Sequence, residues 1–207
     1  MIKTGIFSKF KNSSQIVTKY KMITENGNGF YSWNGKMYQS DIVRACVHPK
    51  VKAIGKLTPR HIRNTYDPKT HEVSGIEVNP EPYMRFLLEE PNPYMTMQKL
   101  LEKVGAQLTL NRNAFILIIR DNNGFPTELY PIPAAEADFK IIDGEPYLKC
   151  YFDNGHWYTF RYSDIIHLRE DYNENDIFGT GIAEALAPLM EIVTATDQGI
   201  VKAIKNS

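Results

Sequence analysis

Six short hydrophobic runs with a period of two follow one another between residues 113 and 168, and they constrain the fold more than any other feature. Such alternation of apolar and polar residues is typical of half-buried strands. Asn122-Asn123-Gly124, Asp143-Gly144 and Asp153-Asn154-Gly155 separate several of the runs, and they tolerate the positive φ of hairpin turns. The pattern predicts an antiparallel meander of six strands: "NAFILIIRD", "TELYPI", "ADFKII", "PYLKCYF", "HWYTFRY" and "DIIHL".

The first of these strands is apolar on both of its faces, because "AFILIIR" contains no polar residue before Arg120. A strand of this kind has to be covered on both sides. We therefore expect the meander on one side and either another strand layer or a helix on the other side.

Helical patterns precede the strands and follow them, which makes the predicted fold class α+β. Ser40 is placed to cap a helix through Val47, and Pro49 is expected to kink or end it. The chain from Leu57 to Tyr66 resembles extended structure, and "PYMRFLLEE" favours a short helix. A longer helix is predicted after Thr96, with apolar residues at helical spacing: Leu100, Leu101, Val104 and Leu108.

A long helical pattern closes the chain, from Gly181 to Lys205, and would be about 38 Å long at the helical rise. Pro188 is expected to kink it early. Its apolar stripe comprises Ile182, Leu186, Leu189, Val193, Ile200 and Ile204. Because nothing follows the helix that could cover this stripe, we expect that further chain belongs after it.

The charge balance gives no global attraction to nucleic acid, since 24 Lys+Arg residues offset 24 Asp+Glu residues. The hydrophobic fraction of 43% is enough for a real core. No apolar run reaches the roughly 18 residues of a membrane span, so we expect a cytoplasmic protein without a membrane partner. Cys46 and Cys150 lie in unrelated patterns and are interpreted as plain thiols.

The N-terminal segment 1–39 is interpreted as a basic, flexible arm. Its first 24 residues contain lysines and no acidic residue, and their hydrophobic residues follow no sustained period. Nucleic-acid or partner binding is one hypothesis for this arm, and a solvated terminus is favoured over it.

His167, Glu170 and Asp171 form the nearest approach to a metal or acid–base cluster, and a small metal-dependent hydrolase is one hypothesis from them. Successive residues of an extended segment point in opposite directions, so Glu170 and Asp171 would need a special turn to act together. A histidine at a strand end beside a solvated loop is therefore the favoured interpretation. The sequence predicts no cofactor or metal site.

The segment between the last strand and the closing helix contains two weaker signals. Gly179-Thr180-Gly181 resembles a phosphate-binding turn, but a helix entry that requires positive φ explains both glycines equally well. Phe178 is a large apolar residue in an acidic run. We regard this run equally as a subunit-contact loop through Phe178 or as a plain solvated loop.

The aromatic residues of the predicted meander suggest a nucleic-acid-binding module that stacks bases, as a further alternative. Their alternation along the strands is also what a sheet core requires, and this second interpretation is favoured. The residues are Tyr147, Tyr151, Phe152, Trp157, Tyr158, Phe160 and Tyr162.

The order of several short segments over residues 40–207 resembles the phage portal protein family, of the type found in long-tailed, siphophage-like phages and prophages. The matching segments are Asn92 between two prolines, Asn113-Ala114-Phe115, Gly124-Phe125-Pro126, and Ile166-His167. Arg112 stands where glycine is usual, and Gly181-Ile182-Ala183-Glu184 lacks the usual Ser-Pro.

The resemblance implies a structural subunit of a dodecameric ring at one capsid vertex. DNA would pass through this ring during packaging and ejection, and the tail would attach to it. The implied partners are further copies of the chain, the terminase, the major capsid protein, tail-connector proteins and DNA bound without sequence specificity. The implied location is the virion, with assembly in the host cytoplasm. No enzymatic activity is implied, because the terminase hydrolyses the ATP.

The resemblance also divides the chain into functional parts. Residues 40–180 would form a wing-like domain with the meander, and residues 181–207 would begin a long helix that leads toward a stem beyond this chain. Ile200 and Ile204 would contact neighbouring subunits. Lys202 and Lys205 would lie near the inner wall of the channel, close to passing DNA.

Overall fold

Helices and strands occupy most of the chain that the structure, a computed structural model, describes: residues 15–21, 41–152, 155–171, 177–181 and 183–206. The helices are α1 (Asp41–Gly55), α2 (Pro82–Glu89), α3 (Met97–Asn111) and α4 (Ala183–Lys205). The strands are β1 (Gln15–Lys21), β2 (Ile62–Tyr66), β3 (Val73–Val78), β4 (Asn113–Arg120), β5 (Pro126–Pro131), β6 (Glu136–Ile142), β7 (Glu145–Tyr151), β8 (Trp157–Arg161) and β9 (Ile165–Arg169).

The strands form antiparallel sheets, which confirms the predicted α+β class. One sheet has the order β1-β6-β7-β8, a second has the order β5-β4-β9, and β2 pairs with β3 alone. The six predicted strands are therefore divided between two sheets, since β9 returns to pair with β4 rather than with β8. The period of the hydrophobic residues along a strand shows which of its side chains point inward, but it does not show which other strand pairs with it in the sheet.

Strand β4 separates two hydrophobic clusters, as its two apolar faces predict. Phe115 is fully buried against β6 and β7, where it meets Ala137 and Leu148. Ala114 and Ile116 point the other way into a cluster formed with α2 and α3. The cover on one side is therefore the meander sheet, and the cover on the other side is helical.

Helix α1 continues past Pro49 to Gly55, so the prediction that Pro49 could end the helix is wrong. Proline removes one helical hydrogen bond. Packing of the opposite face outweighs this loss, because Pro49 is exposed while Val43, Val47 and Val51 are buried at a spacing of four residues. These valines lie against α3 and Met190 of α4. The proposed cap at Ser40 lies outside the described residues.

Close approach between α1 and α3 depends on Gly105. A Cβ added to this glycine would lie 3.1 Å from Cδ1 of Ile54, which is tighter than ordinary contact. The same pair of helices is joined at the surface by Lys52 and Glu102, whose Nζ and Oε1 are 2.8 Å apart. Hydrogen bonds from Lys52, Gln98 and Lys99 lower the pKa of Glu102 to about 2.

Two segments differ from the sequence-based expectation. Gln15–Lys21 forms β1, an edge strand that pairs with β6, so the prediction of a flexible arm is wrong for these residues. The rest of segment 1–39 lies outside the described residues. The extended chain expected to end at Tyr66 pairs with β3, a strand that the sequence analysis missed because Gly75 interrupts its pattern.

The predicted hairpin turns are confirmed where the structure describes them. Gly124 has a φ of 86° and Gly144 has a φ of 84°, in the left-handed region that favours glycine. The helix predicted after Thr96 begins at Met97, although the Thr96 side chain makes no capping hydrogen bond.

Candidate functional site

A buried polar network lies where the chain approaches the long helix α4. Asn113, the first residue of β4, is completely buried. Its Nδ2 donates to the carbonyl oxygens of Asn111 at 3.0 Å and of Gly179 at 2.7 Å. Its Oδ1 accepts a hydrogen bond from the backbone N–H of Gly179 at 2.8 Å. One side chain therefore ties the segment before α4 to the junction of α3 and β4.

His167 of β9 completes this network, which we call the Asn113 network: Asn111, Asn113, Tyr162, His167 and Gly179. Nε2 of His167 lies 2.9 Å from Oδ1 of Asn113, and Nδ1 lies 2.9 Å from the hydroxyl of Tyr162. Because Oδ1 is an acceptor, Nε2 has to carry the proton and Tyr162 has to donate to Nδ1.

The protonation state of His167 follows from its surroundings. Burial, with a smaller effect from Arg169, lowers the pKa of His167 to about 4. Burial also raises the pKa of Tyr162. The imidazole is neutral near pH 7, packs 4.5 Å from the ring of Phe115 and serves as a structural hydrogen-bonding group.

Glu170 and Asp171 both contact Arg112 rather than His167. Nη1 of Arg112 lies 2.8 Å from Oε2 of Glu170, and Nε lies 2.9 Å from Oδ2 of Asp171. Asp171 has a φ of 52°, which supplies the special turn that brings consecutive carboxylates to one side. Arg112 also has a positive φ, 57°, where it ends α3. The three residues of the proposed hydrolase site therefore form two separate structural contacts.

Gly179 is required for close approach, and the prediction of positive φ at this glycine is wrong. A Cβ at Gly179 would lie 2.0 Å from the carbonyl oxygen of Glu170 and 2.4 Å from that of Arg112. The glycine thus lets the segment before α4 pass between two backbones, while Asn113 holds it there.

Phe178 is only 1% exposed and packs in the cluster around Phe115 and His167. The prediction that it is a subunit-contact residue is therefore wrong. A large apolar residue in a polar run can also be one that packs into the chain's own hydrophobic core. Phe178 is such a residue.

In the part of the chain that the structure describes, helix α4 packs on the body through its N-terminal half. Met190 is buried and Leu186 is partly buried, and both lie against α1 and α3. Leu189 of the predicted stripe is exposed and Met190, which lies outside that stripe, is buried, so the core-facing residues differ in part from the predicted ones. The predicted contact residues Ile200 and Ile204 are exposed, and the predicted channel residues Lys202 and Lys205 lie exposed in the last turns.

The aromatic residues of the meander serve mainly as packing groups. Phe152, Phe160 and Tyr162 pack on the core around Phe115, and Tyr147 is buried. On the other face, Nζ of Lys149 lies 4.0 Å from the ring centre of Trp157 and 4.7 Å from that of Tyr151.

The sequence of residues 41–207 matches the model of one protein family, described as phage portal protein. This match covers most of the chain. The chain belongs to the phage portal protein family.

Similarity to individual portal proteins agrees with this membership. The portal protein of Enterobacteria phage HK97 is 32% identical over 88 residues, which are 42% of this chain and 20% of that relative. This chain therefore spans a minor part of that relative's length.

Solved structures share the same fold. A chain in the neck of an empty GTA particle, computed with C6 symmetry, superposes on this chain with a TM-score of 0.59 and is 17% identical to it. The superposed part is 81% of this chain and 44% of the neck chain. A chain in the neck of the native GTA particle, computed with C12 symmetry, has the same TM-score and identity and covers 88% of this chain and 44% of its own length. The portal chain spans less than half of these neighbours.

Neither alternative function is supported. Portal proteins are structural, and in the described residues no group of three His, Cys, Asp or Glu side chains is placed to hold a metal ion. Both cysteines are free, and burial raises the pKa of Cys150 to about 12, which keeps this thiol protonated. In the part of the chain with described structure, no helix has the length and hydrophobicity of a membrane span.

Two anchors of the sequence resemblance meet in the Asn113 network, although the sequence analysis assigned no role to Asn113. Asn92, a third anchor, is buried, and its Nδ2 donates to the carbonyl oxygen of Leu129 at 2.7 Å. An asparagine at the start of an apolar strand could have indicated a buried hydrogen-bonding group at Asn113, although it does not indicate the partners.

Proposed function

We propose that this chain is the wing-like part of a portal subunit, residues 40–180, together with the start of its stem-directed helix, residues 181–207. The subunits form a dodecameric ring at one capsid vertex. This ring is the channel for DNA packaging and ejection and the attachment point of the tail. The single observation that supports this most strongly is the family match over residues 41–207.

The attachment of α4 supports a mechanical role. The Asn113 network and Gly179 set where the helix leaves the body, and Met190 packs its first turns on α1 and α3. A helix whose N-terminal end is held rigidly in this way transmits force between the wing and the stem, because buried contacts with several elements resist bending.

The distal half of α4 presents two different faces. Ile200 and Ile204 are one helical turn apart and share a face, while the mean direction of Lys202 and Lys205 lies about 150° around the helix from theirs. The isoleucine face packs on neighbouring subunits in the ring. The lysine face lines the channel and attracts the phosphates of passing DNA without reading its sequence.

The partners follow from this position in the particle. They are other copies of the subunit, the terminase, the major capsid protein, tail-connector proteins and the transported DNA. The subunit itself performs no chemistry and needs no cofactor, and the terminase supplies the ATP hydrolysis. The ring assembles in the host cytoplasm and remains in the virion.

Deletion of the gene from the genome that carries it tests this function. We expect capsids that contain no packaged DNA and carry no tails, and we expect the intact gene supplied in trans to restore filled, tailed particles. Electron microscopy and nuclease-protected DNA measure the two outcomes. Filled, tailed particles formed without the gene would contradict the proposal.

A further inference from the structure

The β2–β3 ribbon has one apolar face and one polar face. On the apolar face Ile62 pairs with Val78, and Tyr66 pairs with Val73. Ile76 lies on the same face, where it pairs with the polar Asn64, and is 65% exposed. On the other face, the guanidinium of Arg63 lies 3.5 Å from the carboxylate of Glu77. The ribbon is therefore amphipathic, and its apolar face is open.

Among the described residues, the ribbon is joined to the body of the chain at its base, where Arg63 donates to Glu81 at 2.7 Å. The N–H of Asn79 donates to the carbonyl oxygen of His61 at 2.7 Å and extends the pairing of the two strands by one step. Among the described elements, β2 and β3 pack extensively only against each other. Two-stranded ribbons are marginally stable alone in water, so an apolar ribbon needs a partner surface.

A second apolar surface is a groove between α2 and the β4–β5 turn. Its volume is about 560 Å³, and Tyr83, Phe86, Leu87 and Phe125 line it. The rings of Tyr83 and Phe125 meet edge to face with their centres 5.8 Å apart, while Phe86 is 67% exposed. The groove is thus a preformed concave surface with aromatic walls.

The occupant of the groove follows from ring symmetry, and this step rests on the proposed function. In a closed ring each subunit meets the next through two different surfaces. The described residues offer one protruding and one concave apolar surface, and we infer that the ribbon of one subunit packs into the α2 groove of the next. The ribbon face presents five exposed apolar side chains: Ile62, Tyr66, Val73, Ile76 and Val78. A stable two-chain interface has about 20–30 residues and about 800 Å² on each side, so we expect the ribbon contact to be one of several contacts between neighbouring subunits of the ring.

Disulfide cross-linking in the ring formed by the full-length gene product tests this contact. The variant carries Ile76→Cys and Phe86→Cys, with the exposed Cys46 replaced by serine. Mild oxidation should join neighbouring subunits into a ladder of covalent multimers on a denaturing gel. The matched control, Glu77→Cys with Phe86→Cys, places the thiol on the polar face and should give no ladder.

A second pair of variants measures the contribution of the apolar face to assembly. Ile76→Val keeps the face apolar, whereas Ile76→Thr has nearly the same shape as the valine variant and adds a hydroxyl group. We expect the fraction of protein in rings to stay within about twofold for valine and to fall at least about fivefold for threonine. Melting temperatures of the unassembled chains should agree, since Ile76 is exposed there.

The outcomes separate this inference from the function on which it rests. Rings that show no Ile76→Cys to Phe86→Cys ladder, or that tolerate threonine as well as valine, overturn the ribbon contact and leave the portal function intact. A full-length product that forms no ring at all overturns the portal function itself.

Discussion

Asn113 and Gly179 hold each other through two hydrogen bonds, one in each direction, although 66 positions separate them in the chain. The side-chain amide of Asn113 pairs with the backbone of Gly179 as a strand neighbour would. This relationship fixes the path of the chain into α4, and the first predictions concern it.

Asn113→Ala should destabilise the fold by about 2–4 kcal/mol, because it leaves the backbone groups of Gly179 and a ring nitrogen of His167 buried without partners. Asn123→Ala is the control, since Asn123 lies exposed in the β4–β5 turn and should lose less than about 0.5 kcal/mol. Urea unfolding followed by circular dichroism measures both. Equal, small losses would mean that the Asn113 network does not stabilise the fold.

Gly179→Ala should be strongly destabilising, because its Cβ would overlap the carbonyl oxygens of Glu170 and Arg112. The matched control is Gly199→Ala, whose Cβ would meet nothing within 4 Å in α4. This control should raise stability by up to about 1 kcal/mol through helix propensity. Thermal unfolding of the two variants should therefore shift in opposite directions, and shifts of the same sign would count against the described path.

Ile116→Ala should cost about 2–5 kcal/mol, since Ile116 is buried between β4 and the helices. Ile118 is only partly buried, so its replacement should cost less than that of Ile116. Ile119, which is exposed, serves as the control and should cost less than about 1 kcal/mol. A loss below about 0.5 kcal/mol at Ile116 would show that β4 is peripheral.

His167 should make stability depend on pH. Its pKa is about 4 in the folded chain and near the ordinary value of 6.5 when unfolded, so the unfolded chain binds the proton more readily. The contribution is present above about pH 6.5 and is lost as the pH falls toward 4. About 2 kcal/mol should disappear between pH 7 and pH 5.

His167→Gln provides the comparison, because glutamine does not titrate. Unfolding free energies of both proteins at several pH values isolate the contribution of this one group. If the unfolding free energy changes equally with pH in both proteins, burial does not lower the pKa of His167.

The parts of the fold that the sequence predicted depend on local pattern. Period two located β4 to β9, and the two apolar faces of β4 indicated cover on both sides, because side-chain direction alternates along any strand. The exposed position of Ile200 and Ile204 also follows from a helical stripe that is longer than the body of the chain.

The parts that sequence could not predict depend on distant contacts. Pairing of β9 with β4 and the burial of Phe178 are set by residues more than 40 positions away. Proline inside a helix removes a backbone hydrogen bond, yet α1 continues through Pro49 because the buried valines on its other face stabilise the helix by more than this loss. The Asn113 network was missed because a lone asparagine carries no signal of its partners.

The 207-residue chain alone should be a monomer or a small oligomer and should bind DNA negligibly at physiological salt, because Lys202 and Lys205 on a chain without net charge release few counterions. Light scattering coupled to size exclusion measures the first property, and a filter-binding titration measures the second. A stable ring from this chain alone would show that contacts of the wing-like part suffice for assembly.

Cryo-electron microscopy of the full-length gene product tests the central claim most directly. We predict a closed ring of twelve subunits in which Ile200 and Ile204 of α4 contact the neighbouring subunit while Lys202 and Lys205 face the channel. Particles without ring symmetry, or a ring in which these lysines are buried between subunits, would contradict it.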